Sequence, residues 1–240
     1  MKLAIISDIH GNYEALKAVL LDIKKNGVNT VIFLGDLVLK GPEPQAVFDA
    51  LKTLEPLCWL KGNTELWLSS KRTTSDTNCS SLNEIDIYRK YALKNLSSES
   101  IAFLLNCPTE KTLTLKNHNI LCVHGSPRSI VEGLSSNTDI KTLKTLTQNL
   151  KEDIILCGHT HIPFIKNIDK KTIFNPGSVG CPYDGKNSAS YGIMNIENSS
   201  VNFCTRRITY PFEKIIRIAN NKNFPNANHY NQLIIKGKKI

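Results

Sequence analysis

An α/β fold is what this 240-residue sequence predicts, and three observations carry the prediction. Strand and helix patterns alternate over the first hundred residues. Strand patterns then crowd together after Lys111. Six short apolar runs each end in a polar residue able to bind a metal or an anion. Such alternation builds βαβ units around a largely parallel sheet, and in open α/β sheets ligands collect outside the carboxyl ends of the strands.

Each element has its own justification. The apolar run Lys2–Ile6, closed by Ser7-Asp8-Ile9-His10-Gly11-Asn12, reads as a buried strand. Over Tyr13–Lys25, Leu16, Val19, Leu20 and Ile23 recur at helical spacing, and Gly27 follows as a stop. The run 30–34 leads into Gly35-Asp36. Residues 44–54 repeat the helical pattern through Val47, Leu51 and Leu54, and the run 57–60 leads into Lys61-Gly62-Asn63. From Thr64 to about Pro108 the character changes: a helix starts near 66–68, a Ser/Thr-rich loop covers 69–81, and helices follow over 82–95 and 99–105. Directly after Asn63, this stretch is expected beside the site, as a mobile flap or as a plain helical cover.

The remainder is strand-rich, at 111–115, 119–123, 154–157, 163–168, 171–174, 190–196 and 200–208, with one helix near 138–149. Short connections at 116–118 and 169–170 suggest hairpins. Residues 211–240 hold a helix at 212–219 and an Asn-rich polar tail. The expected organisation is one domain over 1–210, with a helical insertion at about 64–110, followed by an extension over 211–240.

A hydrophobic fraction of 41% and a charged fraction of 21% fit a globular protein. No apolar stretch approaches the ~20 residues of a membrane span, and the N-terminal apolar stretch is too short for a signal-peptide core, so no membrane partner is expected. Seven cysteines, at 58, 79, 107, 122, 157, 181 and 204, form no C-x-x-C pair. Odd in number and partly within strands, they suggest reduced thiols and a cytoplasmic location. The net charge of +9 favours anionic partners. Lys and Arg are nevertheless dispersed, apart from pairs such as Lys24-Lys25 and Arg206-Arg207 and a dense group at 236–239. A polynucleotide groove is therefore not expected.

The polar residues after the apolar runs make a chemical set: Asp8, His10, Asp36, Asn63, His124, His159 and His161. In extended backbone, residues i and i+2 point the same way, so Asp8 and His10 are expected to share one metal, and His159 with His161 to repeat that geometry. Asp36 has two oxygens with which to bridge. All-N/O ligation favours Mn²⁺, Fe or Zn²⁺ over a thiolate-type site. Pro176-Gly177-Ser178-Val179-Gly180 lacks the first Gly of a G-x-S-x-G nucleophile elbow, which argues against a serine hydrolase.

In order, Asp8-x-His10-Gly11-Asn12, Gly35-Asp36-x-Val38-x-x-Gly41-Pro42, Gly62-Asn63-x-Glu65, His124-Gly125 and Gly158-His159-x-His161 resemble the motifs of the calcineurin-like metallophosphoesterase superfamily. Asn175-Pro176-Gly177-Ser178-Val179-Gly180 resembles an extra motif of its small prokaryotic branch, which contains phosphodiesterases and diadenosine-polyphosphate hydrolases. The resemblance implies a four-layer αββα sandwich of two mixed sheets flanked by helices. It implies two divalent or mixed-valence metal ions, one held by Asp8, His10, Asp36 and His161, the other by Asp36, Asn63, His124 and His159. Asp36, Asn63 and His124 would be catalytic, and a hydroxide shared between ions ~3.5–4 Å apart would attack phosphorus.

Where protein-phosphatase-like members carry His after the Gly-Asn pair, this chain has Thr64. General-acid help is worth ~10²–10⁴-fold, so its absence favours leaving groups that need little protonation. The expected substrates are phosphodiesters or phosphoanhydrides of nucleotides. A phosphomonoesterase, a Ser/Thr protein phosphatase or a non-catalytic binding scaffold of the same fold are the alternatives. Lys40, Lys61, Arg128 and Tyr183 are the candidate substrate contacts, with Tyr13 a second ring able to stack on a base.

Overall fold

The structure, a computed structural model, describes residues 1–69, 82–197 and 200–240. Along the chain run β1 (Lys2–Ile6), α1 (Tyr13–Lys25), β2 (Thr30–Phe33), α2 (Pro44–Lys52), β3 (Cys58–Trp59), α3 (Asn63–Leu66), α4 (Leu82–Asn95) and α5 (Ser98–Asn106). There follow β4 (Glu110–Leu115), β5 (His118–Val123), α6 (Ile140–Thr147), β6 (Ile154–Leu156), β7 (Phe164–Ile168), β8 (Lys171–Asn175), β9 (Ala189–Ile196), β10 (Val201–Ile208), α7 (Phe212–Asn221) and α8 (Ala227–Lys236).

Two five-stranded sheets form, in the orders β10-β9-β1-β2-β3 and β4-β5-β6-β8-β7. The strands of the alternating first hundred residues are parallel as expected, and each sheet as a whole is mixed. In the first, β1, β2 and β3 are parallel while the β9–β10 hairpin joins β1 antiparallel. In the second, β5, β6 and β8 are parallel, flanked by antiparallel β4 and β7. Hairpin geometry sets those edges. Lys116 and Asn117, both at positive φ (46° and 68°), make the two-residue turn that reverses β4 into β5.

Strand alternation divides the core into layers. Along β1, Leu3 and Ile5 face the second sheet, where they meet a cluster including Ile120, Cys122, Leu156 and Phe174. Ala4 and Ile6 face the other way, into a cluster with Leu16 and Val19 of α1 and Val47 and Leu51 of α2. On the far face of the second sheet, Leu143 and Leu146 of α6 pack on Ile155 and Ile173. Helices, sheet, sheet and helix make four layers.

The expected insertion behaves as a packed cover where it is described. Phe103 of α5 meets Trp59 and Phe48 at ring-centroid distances of 4.9 and 5.5 Å. The helix expected from 66–68 begins earlier, at Asn63. The loop expected over 69–81 lies, from residue 70 on, outside the described residues. The polar tail also holds a helix not expected from sequence, α8, whose Tyr230, Leu233 and Ile234 form a buried i, i+3, i+4 stripe. Phe224 joins it to α4, stacking on Tyr88 and meeting Tyr230 edge-on, at 5.4 and 5.2 Å. Among the described residues, no helix is long and apolar enough to cross a membrane.

The parallel arrangement positions the site. β1, β2 and β3 point their carboxyl ends at one rim and deliver Asp8, Asp36 and Asn63 there. The ends of β5 and β6 deliver His124, His159 and His161 to the same rim.

Candidate metal centre

Two groups of side chains converge at this rim. Ligand atoms of Asp8, His10, Asp36 and His161 lie within 4.8 Å of one another, as do those of Asp36, His124 and His159. Asp36 belongs to both. Its Oδ2 faces His10 Nε2 at 3.6 Å and its Oδ1 faces His124 Nε2 at 3.4 Å, so one carboxylate addresses two sites. Asn63 joins the second group, with Oδ1 at 3.1 Å from His124 Nε2 and 2.9 Å from His159 Nδ1.

The local backbone corrects the extended i, i+2 geometry. Asp8, His10, Asp36, His159 and His161 all have positive φ, between 48° and 66°. Their side chains meet because the chain turns sharply past each strand end, and strand alternation plays no part. His159 and His161 accordingly land in different groups. Close approach of loops demands glycine at position 62, where a Cβ would run into the Asp36 carboxylate.

Imidazole protons reveal the polarity of the site. His10 Nδ1 donates to the Val38 carbonyl at 3.1 Å, His124 Nδ1 to Leu34 O at 2.8 Å, and His161 Nδ1 to Cys181 O. A carbonyl only accepts, so each Nδ1 carries a proton, and in the neutral rings of His10 and His161 a bare Nε2 lone pair turns inward. Burial holds His10 neutral, with its pKa pushed down to about 3, and holds His161 well below the usual imidazole range. Yet their Nε2 atoms face each other at 3.1 Å, beside Asp8 Oδ1, which is buried and has no hydrogen-bond partner among the described residues. Two lone pairs and an orphaned carboxylate oxygen repel unless a cation lies among them. The donor set fits a metal ion.

In the second group burial would lower His124, but the Asp36 and Asp8 carboxylates outweigh it and raise the ring to about 9. Asp36, despite burial, is held well below the usual carboxylate range, chiefly by His124 and then by His10 and Lys40. A proton on His124 thus occupies the electrostatic place a cation would take. Burial lowers His159 to about 4, and its Nδ1 faces Asn63 Oδ1.

Two neighbours hold Asp36 and were given no role from sequence. Thr64, fully buried, donates to Asp36 Oδ1 from both its backbone N–H and its hydroxyl, each at 2.9 Å. Glu65 accepts from the N–H groups of Asp36, Leu37, Val38 and Gly62 at 2.7–3.1 Å, tying the Gly35-Asp36 loop to the start of α3. Glu three residues after a helix N-cap is a capping-box position, the signal that could have exposed this role.

The four candidate substrate contacts divide. Lys40 and Tyr183 line the cavity over Asp36, Asn63, His159 and His161, and Tyr183 stacks on His161 at 4.1 Å. Lys61 and Arg128 do not line it. Lys61 Nζ donates to the Leu105 carbonyl at 2.7 Å, drawn to the open C-terminal end of α5, and Arg128 is exposed and paired with Glu132. Tyr13 lies beneath the Lys17 ammonium, away from the cavity.

Comparison with known proteins now has a site to refer to. The profile of the calcineurin-like phosphoesterase superfamily domain matches residues 1–199. The uncharacterised protein MJ0912 of Methanocaldococcus jannaschii is 31% identical over 90% of this chain and 92% of its own length. Phosphodiesterase YfcE of Escherichia coli K12 is 30% identical over 84% of this chain and 91% of its own. The crystal structure of a metallophosphoesterase from Sphaerobacter thermophilus superposes with a TM-score of 0.80 at 24% identity, covering 99% of both chains.

Proposed function

The chain belongs to the calcineurin-like phosphoesterase superfamily and is a metal-dependent phosphoesterase, and from that premise we propose that it hydrolyses phosphodiester or phosphoanhydride bonds of nucleotides in the cytoplasm. One observation carries the reading: two groups of buried N/O ligands share the single carboxylate of Asp36. Asp8, His10, Asp36 and His161 would hold one ion, and Asp36, Asn63, His124 and His159 the other. The N/O donor set suits Mn²⁺, Fe or Zn²⁺. When bound, such a pair supplies Lewis acidity toward phosphoryl oxygens and brings the pKa of water near neutrality. On this reading residues 1–210 are the phosphoesterase unit and 211–240 an extension of it.

The chain's own residues orient the substrate. Lys40 places positive charge on the cavity wall. Asn63 turns its carbonyl oxygen to two imidazoles, leaving its amide Nδ2 to donate to a phosphoryl oxygen. Thr64 spends its hydroxyl on Asp36, so the position after Gly62-Asn63 offers no proton to a leaving group. This supports diester and anhydride substrates, whose leaving groups depart without much protonation, over phosphoserine proteins.

A hydrolysis panel tests the proposal. Bis(4-nitrophenyl) phosphate, 4-nitrophenyl phosphate, cyclic nucleotides and diadenosine polyphosphates are each offered with Mn²⁺, Fe²⁺ or Zn²⁺. Diesters or anhydrides should be cleaved faster than the monoester. His124→Ala and Asp36→Asn should lower turnover by a factor on the order of 10³. Full activity in either variant would contradict the assignment.

A further inference from the structure

The cavity over the metal centre is roofed by two segments distant in sequence. Ile85 and Tyr88 come from α4, Tyr230 and Leu233 from α8, with Trp67 and Tyr183 on the walls. Three of these rings are almost wholly buried: Tyr230 is 3% exposed, Trp67 4% and Tyr88 8%. Phe224 wedges between Tyr88 and Tyr230, so the roof is preformed by packing. The Tyr230 hydroxyl, buried, makes no hydrogen bond among the described residues. Exposed His229 and Lys239 stand at the same cavity, with Glu84 as an acidic member of the rim.

From this juxtaposition we propose that α4 and α8 build a specificity pocket for one planar aromatic group of a small phosphoester, an aryl alcohol or a single nucleoside. The inference rests on the phosphoesterase reading and narrows its substrate. The phosphoryl group lies at the Asp36 and Asn63 end, and the ring extends beneath Tyr88 and Tyr230. Aromatic walls with few polar groups suit a π-face. Lys239 adds positive charge that draws an anionic ester.

Size sets the limit. The cavity measures about 260 Å³, at the lower edge of the ~300–1,000 Å³ usual for small-molecule sites. One aromatic group fits and a second does not, so dinucleoside polyphosphates and polynucleotides gain nothing from their remaining bases. Sequence placed the stretch containing α4 beside the site, but the part of α8 in the roof is set only where the two helices meet.

Calorimetric titration of the Mn²⁺-loaded protein with methylphosphonate, phenylphosphonate, adenosine 5′-monophosphate and diadenosine tetraphosphate tests the pocket directly. Phenylphosphonate and the monophosphate should bind at least tenfold more tightly than methylphosphonate, and diadenosine tetraphosphate no more tightly than the monophosphate. Ile85→Trp, which fills space beneath the roof, should reduce the preference for phenylphosphonate over methylphosphonate severalfold, while Lys239→Ala, at an exposed position, should weaken all four ligands alike. Equal affinity for methyl- and phenylphosphonate, or an unchanged preference in Ile85→Trp, would overturn the proposal. Selective binding without hydrolysis of any ester would keep the pocket and sink the phosphoesterase reading. Hydrolysis without selective binding would do the reverse.

Discussion

Asp8, His10, Asp36, His159 and His161 occupy left-handed backbone that side chains with a Cβ adopt at a cost of ~1–3 kcal/mol each. Such strain persists only where the surroundings over-determine it, and Glu65 is one of the groups that does so. Its two oxygens each accept two backbone N–H groups. In Glu65→Gln, whichever way the amide turns, an NH₂ opposes two N–H donors. That should cost on the order of 3 kcal/mol in urea unfolding. Metal affinity should fall ~10–100-fold, as for other groups that orient ligands. Wild-type stability and affinity in the variant would show that Glu65 does not set the Asp36 loop. The residue types of the site were legible because each polar group interrupts an apolar run. Their directions were not, since a positive φ at Asp8 or His161 leaves no mark in the spacing.

Most elements could be read from periodicity, because apolar residues follow the burial they create. The strand β1 and the helix α1 lie where the pattern placed them. Helix α8 escaped notice because Asn228, Asn231 and the tail lysines dilute a stripe of only three buried residues. The strands β9 and β10 were legible as strands, but their antiparallel docking was not, since pairing partners lie far apart in sequence. That docking is secured by side chains. Asp22 of α1 accepts from Arg206 of β10 through two bonds, at 2.9 and 2.8 Å, and from the Tyr191 hydroxyl of β9 at 2.7 Å. Arg206 holds the Asp22 carboxyl below its usual pKa, against the effect of burial. A depressed folded pKa adds stability above the unfolded value of ~3.9 and loses it as pH falls through the folded one. Solvent at Arg206 limits the effect to about 1 kcal/mol, so Asp22→Asn should lower the Tm at pH 7 by about 2–4 °C. That gap should close as the pH drops below the ordinary carboxylate range. A gap that stays constant down to acid pH would assign the loss to packing instead of charge.

At the scale of the molecule, the order of motifs along the chain already implied two sheets meeting face to face, and the structure has them. What joins sheets to chemistry is that parallel strands of both aim their carboxyl ends at one rim. Ligands 151 residues apart, His10 and His161, thereby come within 3.1 Å. The roof of α4 and α8 lies beyond any local pattern, because neither segment signals the other. The claim on which the rest depends is that the gathered side chains hold two cations with Asp36 between them. Anomalous diffraction from crystals grown with Mn²⁺ measures this directly. Two peaks should flank the Asp36 carboxylate, one beside His10 and His161 and one beside His124 and His159. A single peak, or none within reach of Asp36, would contradict it.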